Sequence, residues 1–252
     1  MYPILFKIGP LPIYSFGVMV VAGVVTYMLV TLHYARREGI KAETIFDFTI
    51  YLILMSAFGS RLVYVIGQWD HYQNNLIEIF MFPKGGFILM GGLLFGILTA
   101  IVYARIKRIP ILKFVDVLAP GAILGYAVGR IGCFFNGCCF GKPTDLFWGI
   151  VFPRGSLAHS YFPDVAVHPT QLYAFFSMVL AFFVLVLLYR RKRFDGYVFF
   201  WALILYSTYR FLIEFIRFSP IYWLGLTPTQ WGMIVVFMVG FFCLIKPRSA
   251  AS

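Results

Sequence analysis

The chemistry this chain offers first is arginine set into apolar sequence. The apolar run 118–128 ends on Gly129-Arg130-Ile131-Gly132-Cys133-Phe134-Phe135-Asn136-Gly137, which reads as a cation meeting a glycine-rich turn at a membrane edge. A guanidinium keeps its proton, and seating it at bilayer depth costs about 3 kcal/mol, so the expected reason for it is an anion to hold. Snorkelling to lipid headgroups is the plainer alternative. Further along, Tyr206, Arg210, Glu214 and Arg217 are spaced four, four and three. On one helix that spacing puts all four on one face, with Glu214 a turn away from each arginine. Two cations sharing one carboxylate leave positive charge for a substrate; a closed structural ion pair is the alternative. Arg61 also stands in an apolar segment, after Gly59 and Ser60, where small residues let helices approach.

Three other clusters are candidates for chemistry. Gly85-Gly86 and Gly91-Gly92 bracket Phe87-Ile88-Leu89-Met90; such pairs permit backbone amides to face a phosphate, or two helices to pack closely. Cys133, Cys138 and Cys139 lack the spacing of zinc-binding CxxC pairs and have no histidine at ligand spacing, so no metal is expected. On an outer face, Cys133 with Cys138 or Cys139 has the option of a disulfide. Cys243 reads as a small core residue. In His168-Pro169-Thr170-Gln171-Leu172-Tyr173 a loop gives way to a helix start, with His168 at its mouth as a surface imidazole, a base or a phosphate contact.

The elements that must position these residues are apolar. With 61% hydrophobic, 20% aromatic and 12% charged residues over 252 positions, a soluble fold would have almost nothing to show to water. The expected fold is an all-α bundle of seven transmembrane helices forming one polytopic domain over 1–252. The spans are 13–33, 45–67, 87–104, 114–130, 170–189, 196–216 and 229–245. Arg36, Arg37 and Lys41, then Arg105, Lys107, Arg108 and Lys113, then Arg190, Arg191, Lys192 and Arg193, then Lys246 and Arg248 mark alternate ends as cytoplasmic. The other ends carry only Lys7, Lys84, Lys142, Arg154 and Arg217. The N-terminus is therefore expected outside, the C-terminus inside, and the long loop 133–169 outward. That loop has the length of a lid or binding surface. The net charge of +11 is mostly topogenic, and no nucleic-acid module is visible. The first span lacks the leader and cleavage site of a signal peptide and is expected to stay in the chain.

Taken together, Gly129-Arg130-x-Gly132-x-Phe134-x-Asn136-Gly137 with Gly141, His168-Pro169-Thr170-Gln171-Leu172-Tyr173, and Tyr206-x3-Arg210-Phe211-x2-Glu214-Phe215-x-Arg217 resemble the prolipoprotein diacylglyceryl transferase family over nearly the whole chain. The resemblance implies a multi-pass enzyme of the bacterial inner (plasma) membrane. It would move the diacylglyceryl group of phosphatidylglycerol to the lipobox cysteine of prolipoproteins, forming a thioether and releasing glycerol 1-phosphate. Phosphatidylglycerol, prolipoproteins and the lipid bilayer are the implied partners, and no cofactor, metal or nucleic acid is implied. The expected catalytic residues are Arg130, Arg210, Glu214 and Tyr206. Phospholipid is expected at Arg130, Gly129, Asn136, Gly141, Arg61 and Arg217.

The chain departs from the family pattern at four places. Met90 stands where many members have a histidine, Cys133 where many have asparagine, Cys138 where many have an acid, and Phe16 where a tyrosine is frequent. Met90 takes no proton, so a base would have to be Glu214, Tyr206 or His168, with Glu214 first, unless the arginine field alone yields thiolate. Three other functions compete: a non-catalytic relative that binds anionic phospholipid or precursors, an enzyme with the same anion grip and another acceptor or donor lipid, and an anion or lipid transporter.

Overall fold

The structure is a computed structural model that describes residues 4–9, 11–73, 76–81, 85–218 and 224–245. Lys84, Lys246 and Arg248 lie outside the described residues. An antiparallel hairpin, β1 (Ile4–Ile8) and β2 (Leu11–Tyr14), precedes the helices. The helices are α1 (Ser15–Arg37), α2 (Ala42–Gly67), α3 (Trp69–Tyr72), α4 (Leu89–Ile106), α5 (Ile111–Asn136), α6 (Leu157–Tyr161), α7 (Thr170–Arg190), α8 (Tyr197–Ile213) and α9 (Pro228–Ile245).

Among the described residues six helices are long and apolar enough to cross a membrane, namely α1, α2, α4, α5, α7 and α9. The seventh apolar helix, α8, has 17 residues, about 26 Å at 1.5 Å per residue. Large apolar side chains such as Leu29, Leu180, Val235 and Phe242 stand exposed on these helices, a surface that hydrocarbon solvates and water does not.

Three boundaries differ from expectation for local reasons. The hairpin was not expected in an all-α chain; positive φ at Gly9 lets the chain reverse there. The fourth span runs to Asn136 rather than stopping near Arg130, because Gly129 and Gly132 are held in helical geometry and the chain turns only at Gly137, with φ +66. The sixth span stops at Ile213 rather than at 216.

The chain divides into two compact units, Leu32–Val115 and the remainder, Met1–Thr31 with Asp116–Ser252. In the first, α2 packs on α4 through glycine: a Cβ on Gly91 would come within 2.2 Å of the Gly59 carbonyl oxygen. Gly91-Gly92 thus serve close packing, while Gly85 and Gly86 turn the chain with φ +76 and +85. Tyr103 donates to the Thr44 carbonyl at 3.0 Å, and Lys113 meets Glu38 at 3.3 Å.

In the second unit, α1 and α5 cross backbone to backbone. A Cβ on Gly23 would lie 2.8 Å from Gly125 O, and one on Gly125 would lie 2.7 Å from Gly23 O. The N-terminus of α8 is fastened to α5 by Asp116, fully buried, whose carboxylate accepts from the amides of Gly196 (2.7 Å) and Phe199 (2.8 Å). Lys192 balances its charge at 3.3 Å and also meets Asp195 at 3.0 Å. A carboxylate at a helix N-terminus satisfies amides that have no intrahelical acceptor and meets the positive end of the dipole.

Candidate functional site

The Asp116 tie sets the site's register. Arg130 lies fourteen residues beyond Asp116 and Arg210 fourteen beyond Gly196, about 21 Å along either helix. Tyr126 and Tyr206, ten residues beyond the same points, meet edge to face with centroids 5.6 Å apart, so the two helices run level at that depth. Arg130 lays its guanidinium over the Tyr126 ring, 4.6 Å from the centroid, and an Nη2 hydrogen bonds to the Tyr126 hydroxyl. Its Nε is buried and has no hydrogen-bond partner among the described residues. A cation so held is oriented by an aromatic face and keeps donor capacity for an incoming oxygen anion.

Arg210 hydrogen bonds through Nη1 to Glu214 Oε2, and Glu214 is buried. The expected stripe breaks here. With α8 ending at Ile213, Tyr206 and Arg210 share the helix, whereas Glu214 is the residue that ends it and Arg217 lies beyond, bridged antiparallel to Gly141. Glu214 pairs with Arg210, and no ion pair joins it to Arg217 among the described residues. Tyr209 stands within electrostatic reach of Arg130, Arg210 and Arg217. Tyr126 and Tyr209 were missed in the sequence. Tyr126 is four residues before Arg130, the spacing that stacks a ring beneath a guanidinium on one helix face.

Three sequence segments far apart in the chain meet at Gly141. Its amide donates to His168 O (2.9 Å), the Lys142 amide donates to Ile216 O (2.8 Å), and the His168 amide donates to Lys142 O (3.0 Å). A Cβ on Gly141 would come within 2.6 Å of His168 Cβ and 2.8 Å of Ile216 O. Gly141 is thus a packing position. Among the described residues, its chain neighbours and own helix backbone aside, nothing lies within 4 Å of where a Cβ on Gly129 would stand, and Asn136 is exposed at the end of α5. The loop after α5 is built around Phe140, Phe152, Ala158 and Val167. His168 Nδ1 lies 3.2 Å from the Tyr173 hydroxyl, which also accepts from Trp148 Nε1 at 2.7 Å.

The three cysteines converge, as the disulfide option for Cys133 with Cys138 or Cys139 requires of that pair. At the end of α5 the Gly137 amide donates to Phe134 O (3.1 Å) and the Cys138 amide to Cys133 O (3.2 Å). This pair of bonds with a left-handed glycine is the Schellman arrangement, which folds the residue after the glycine back over the last turn. Cys138 is thereby carried onto Cys133, and Cys139, itself at φ +61, turns its side chain to the same place. All three sulfurs lie within 4.8 Å of one another. The Cys138 thiol donates to the Cys133 carbonyl at 3.7 Å; the neighbouring thiols, then the fields of Arg217 and Arg130, hold the Cys139 thiol below its ordinary value despite burial.

Arg61 belongs to the unit Leu32–Val115 and is occupied there. It is buried, and it donates to the carbonyls of Ile79 (3.0 Å), Gly86 (3.1 Å), Glu78 (2.7 Å) and Gly85. Tyr64, Tyr72 and Phe87 surround its guanidinium. Expected as a phospholipid ligand, it clamps the segment between α3 and α4 through these contacts. Met90, second residue of α4, is exposed.

Residues 3–246 match the sequence profile described as "Prolipoprotein diacylglyceryl transferase". The chain is similar to proteins named phosphatidylglycerol–prolipoprotein diacylglyceryl transferase. The one from Finegoldia magna is 33% identical over 96% of this chain and 94% of its own length. That of Listeria innocua is 35% identical over 88% and 80%, and that of Streptococcus mutans 32% over 98% and 95%.

Proposed function

The chain belongs to the prolipoprotein diacylglyceryl transferase family, and we propose that Arg130 and Arg210 are the anion grip with which it acts on its lipid donor. The enzyme transfers the diacylglyceryl group of phosphatidylglycerol to prolipoproteins. The acceptor is the lipobox cysteine. Its sulfur attacks the glyceryl carbon bonded to phosphate, the S–C bond forms as the C–O bond breaks, and the electron pair leaves on the phosphate oxygen. The thiol proton ends on the departing glycerol 1-phosphate, so the product is a thioether. Charge grows on the phosphate in this step, and preorganised guanidinium groups in a dry site lower its energy.

The observation that carries the assignment is the level pairing of α5 and α8 from Asp116 up to the Tyr126–Tyr206 contact. Two arginines from different helices come to one depth, the Nε of Arg130 unpartnered. Arg217, Gly129, Gly141 and Asn136 flank this grip, with Gly141 acting through packing. Tyr206 supports the ring that carries Arg130. Glu214 is a positioning residue for Arg210, because its carboxylate is engaged by that guanidinium.

The protein spans the bacterial inner membrane several times, N-terminus outside and C-terminus cytoplasmic, with the segment 137–169 outward toward the secreted precursors. The positive charges at Arg36, Arg37, Arg105, Lys107, Arg108, Arg190, Arg191 and Arg193 support that orientation.

The test is transfer in proteoliposomes of phosphatidylglycerol with a lipobox peptide, reading peptide mass and released glycerol phosphate. Arg130→Ala and Arg130→Lys should each lower turnover by about 100-fold or more while the protein still inserts, since lysine lacks the planar fork. Wild-type turnover in either variant sinks the assignment.

A further inference from the structure

We infer that Cys133, Cys138 and Cys139 form a three-thiolate site for Zn2+ whose fourth position takes the thiol of the acceptor peptide; the second half of this inference rests on the transferase reading above. Three soft donors converge on one point, all within 4.8 Å of one another. Tetrahedral zinc with Zn–S bonds of about 2.3 Å sets its sulfurs about 3.8 Å apart, so side-chain rotation of a fraction of an ångström per thiol closes the site. The backbone under the ligands is fixed. Cys133 sits in the last turn of α5, Gln171 Nε2 donates to the Cys138 carbonyl at 2.7 Å, and Thr170 Oγ1 donates to the Cys139 carbonyl at 2.6 Å. Cys139 is also held at φ +61, a left-handed conformation uncommon for a residue with a side chain, and this turns the third thiol toward the other two.

Charge favours the same occupant. Three thiolates and one divalent cation carry a net charge of −1, and Arg217 and Arg130 stand within electrostatic reach of Cys139 to balance it. No fourth histidine, cysteine or carboxylate joins the group among the described residues. Three protein ligands and one open position are the arrangement of a zinc ion that binds a reactant, whereas structural zinc closes with four. A thiol that coordinates zinc is deprotonated outright. The acceptor peptide's thiol would thus give its proton to water on binding and attack the glyceryl carbon as thiolate. The C–O bond breaks, the phosphate leaves with the electron pair, and water returns a proton to it. Zinc changes no oxidation state. This chain has a particular need of such a route, because Met90 takes no proton and Glu214 is held by Arg210.

The experiment uses the full-length reduced protein in detergent, titrated with Co2+ and Zn2+. Wild type and Cys243→Ser should retain one equivalent of metal after desalting and show a cobalt–thiolate charge-transfer band. Cys133→Ser, Cys138→Ser and Cys139→Ser should each weaken binding by about tenfold or more. As a check that needs no variant, Zn2+ should protect three of the four cysteines of wild type from alkylation. Absence of the band, binding that survives all three substitutions, or isolation of the protein only as a disulfide that holds no metal would overturn the site. Lipobox peptide should then perturb the cobalt spectrum and a Cys→Ser peptide should not; equal spectra overturn the delivery of the thiol. If the peptide binds the metal and no diacylglyceryl transfer follows in the metal-loaded wild type, the transferase reading fails and the metal site stands.

Discussion

At the scale of single residues, the site is defined by what each guanidinium still has to offer. Arg61 hydrogen bonds to four carbonyls of its own unit, Arg210 has a carboxylate, and Arg130 has a phenol and a ring with its Nε unpartnered. Identical residue types in similar apolar sequence thus do three different things. The distinction between base and orienter at Glu214 is open to a direct test. Glu214→Gln keeps an oxygen for Arg210 and loses the charge, so turnover should fall by no more than about tenfold and the pH–rate profile should keep its wild-type shape. A profile that loses its acidic limb would make Glu214 the base. Arg61→Ala should lower the unfolding midpoint while the KM for phosphatidylglycerol moves by less than about threefold, because a clamp contributes to stability and not to donor binding. A large rise in KM with unchanged stability would return Arg61 to the lipid site.

At the scale of elements, the decisive contact is a side chain of one helix capping another. Asp116 reaches from α5 to the amides of Gly196 and Phe199 at the start of α8, and equal rise along the two helices then brings Arg130 and Arg210 level. Asp116→Ala removes two charge-assisted hydrogen bonds and leaves Lys192 without this partner, so stability should fall by about 3 kcal/mol. The thermal midpoint in detergent measures that loss, and turnover should fall with it as the helices lose register. An unchanged midpoint would mean that packing alone aligns them. The glycines of α5 act at this scale too. Gly125 crosses Gly23 at backbone distance, a crossing that any side chain would push apart. Sequence reading placed glycine near Arg130 in a turn; in the structure Gly132 is helical and packs against α1, beside Met19 and Phe16.

At the scale of the whole molecule, the positive charges predict which ends of the spans face the cytoplasm. Reporter fusions should find the ends after α1, α4 and α7 inside and the segment 137–169 outside, and an inside location for that segment would invert the orientation. An outward position would bring the segment in which Gly141, His168 and Arg217 are laced by backbone bonds to the side from which secreted precursors arrive. The short apolar kernel of Phe140, Phe152, Ala158 and Val167 gives this segment a fold of its own, so it presents a shaped surface and not a slack loop.

The amino-acid sequence by itself determined that the chain is a multi-pass helical membrane protein, because runs of apolar residues longer than a bilayer is thick have few other solutions. It also determined the family, because Gly-Arg-x-Gly and the Arg210, Glu214 and Arg217 spacing survive as local patterns. The tertiary structure alone decided what holds Arg61, since hydrogen-bond partners such as Ile79 and Gly85 are distant in sequence and are carbonyls that every residue has. It alone decided that Arg130 and Arg210 stand level, since this follows from one buried carboxylate between helices eighty residues apart. The convergence of Cys133, Cys138 and Cys139 lay between the two. Its signal was present as a glycine between the first cysteine and the pair, but a glycine after an apolar helix shows that the chain turns there and not what the turn brings together.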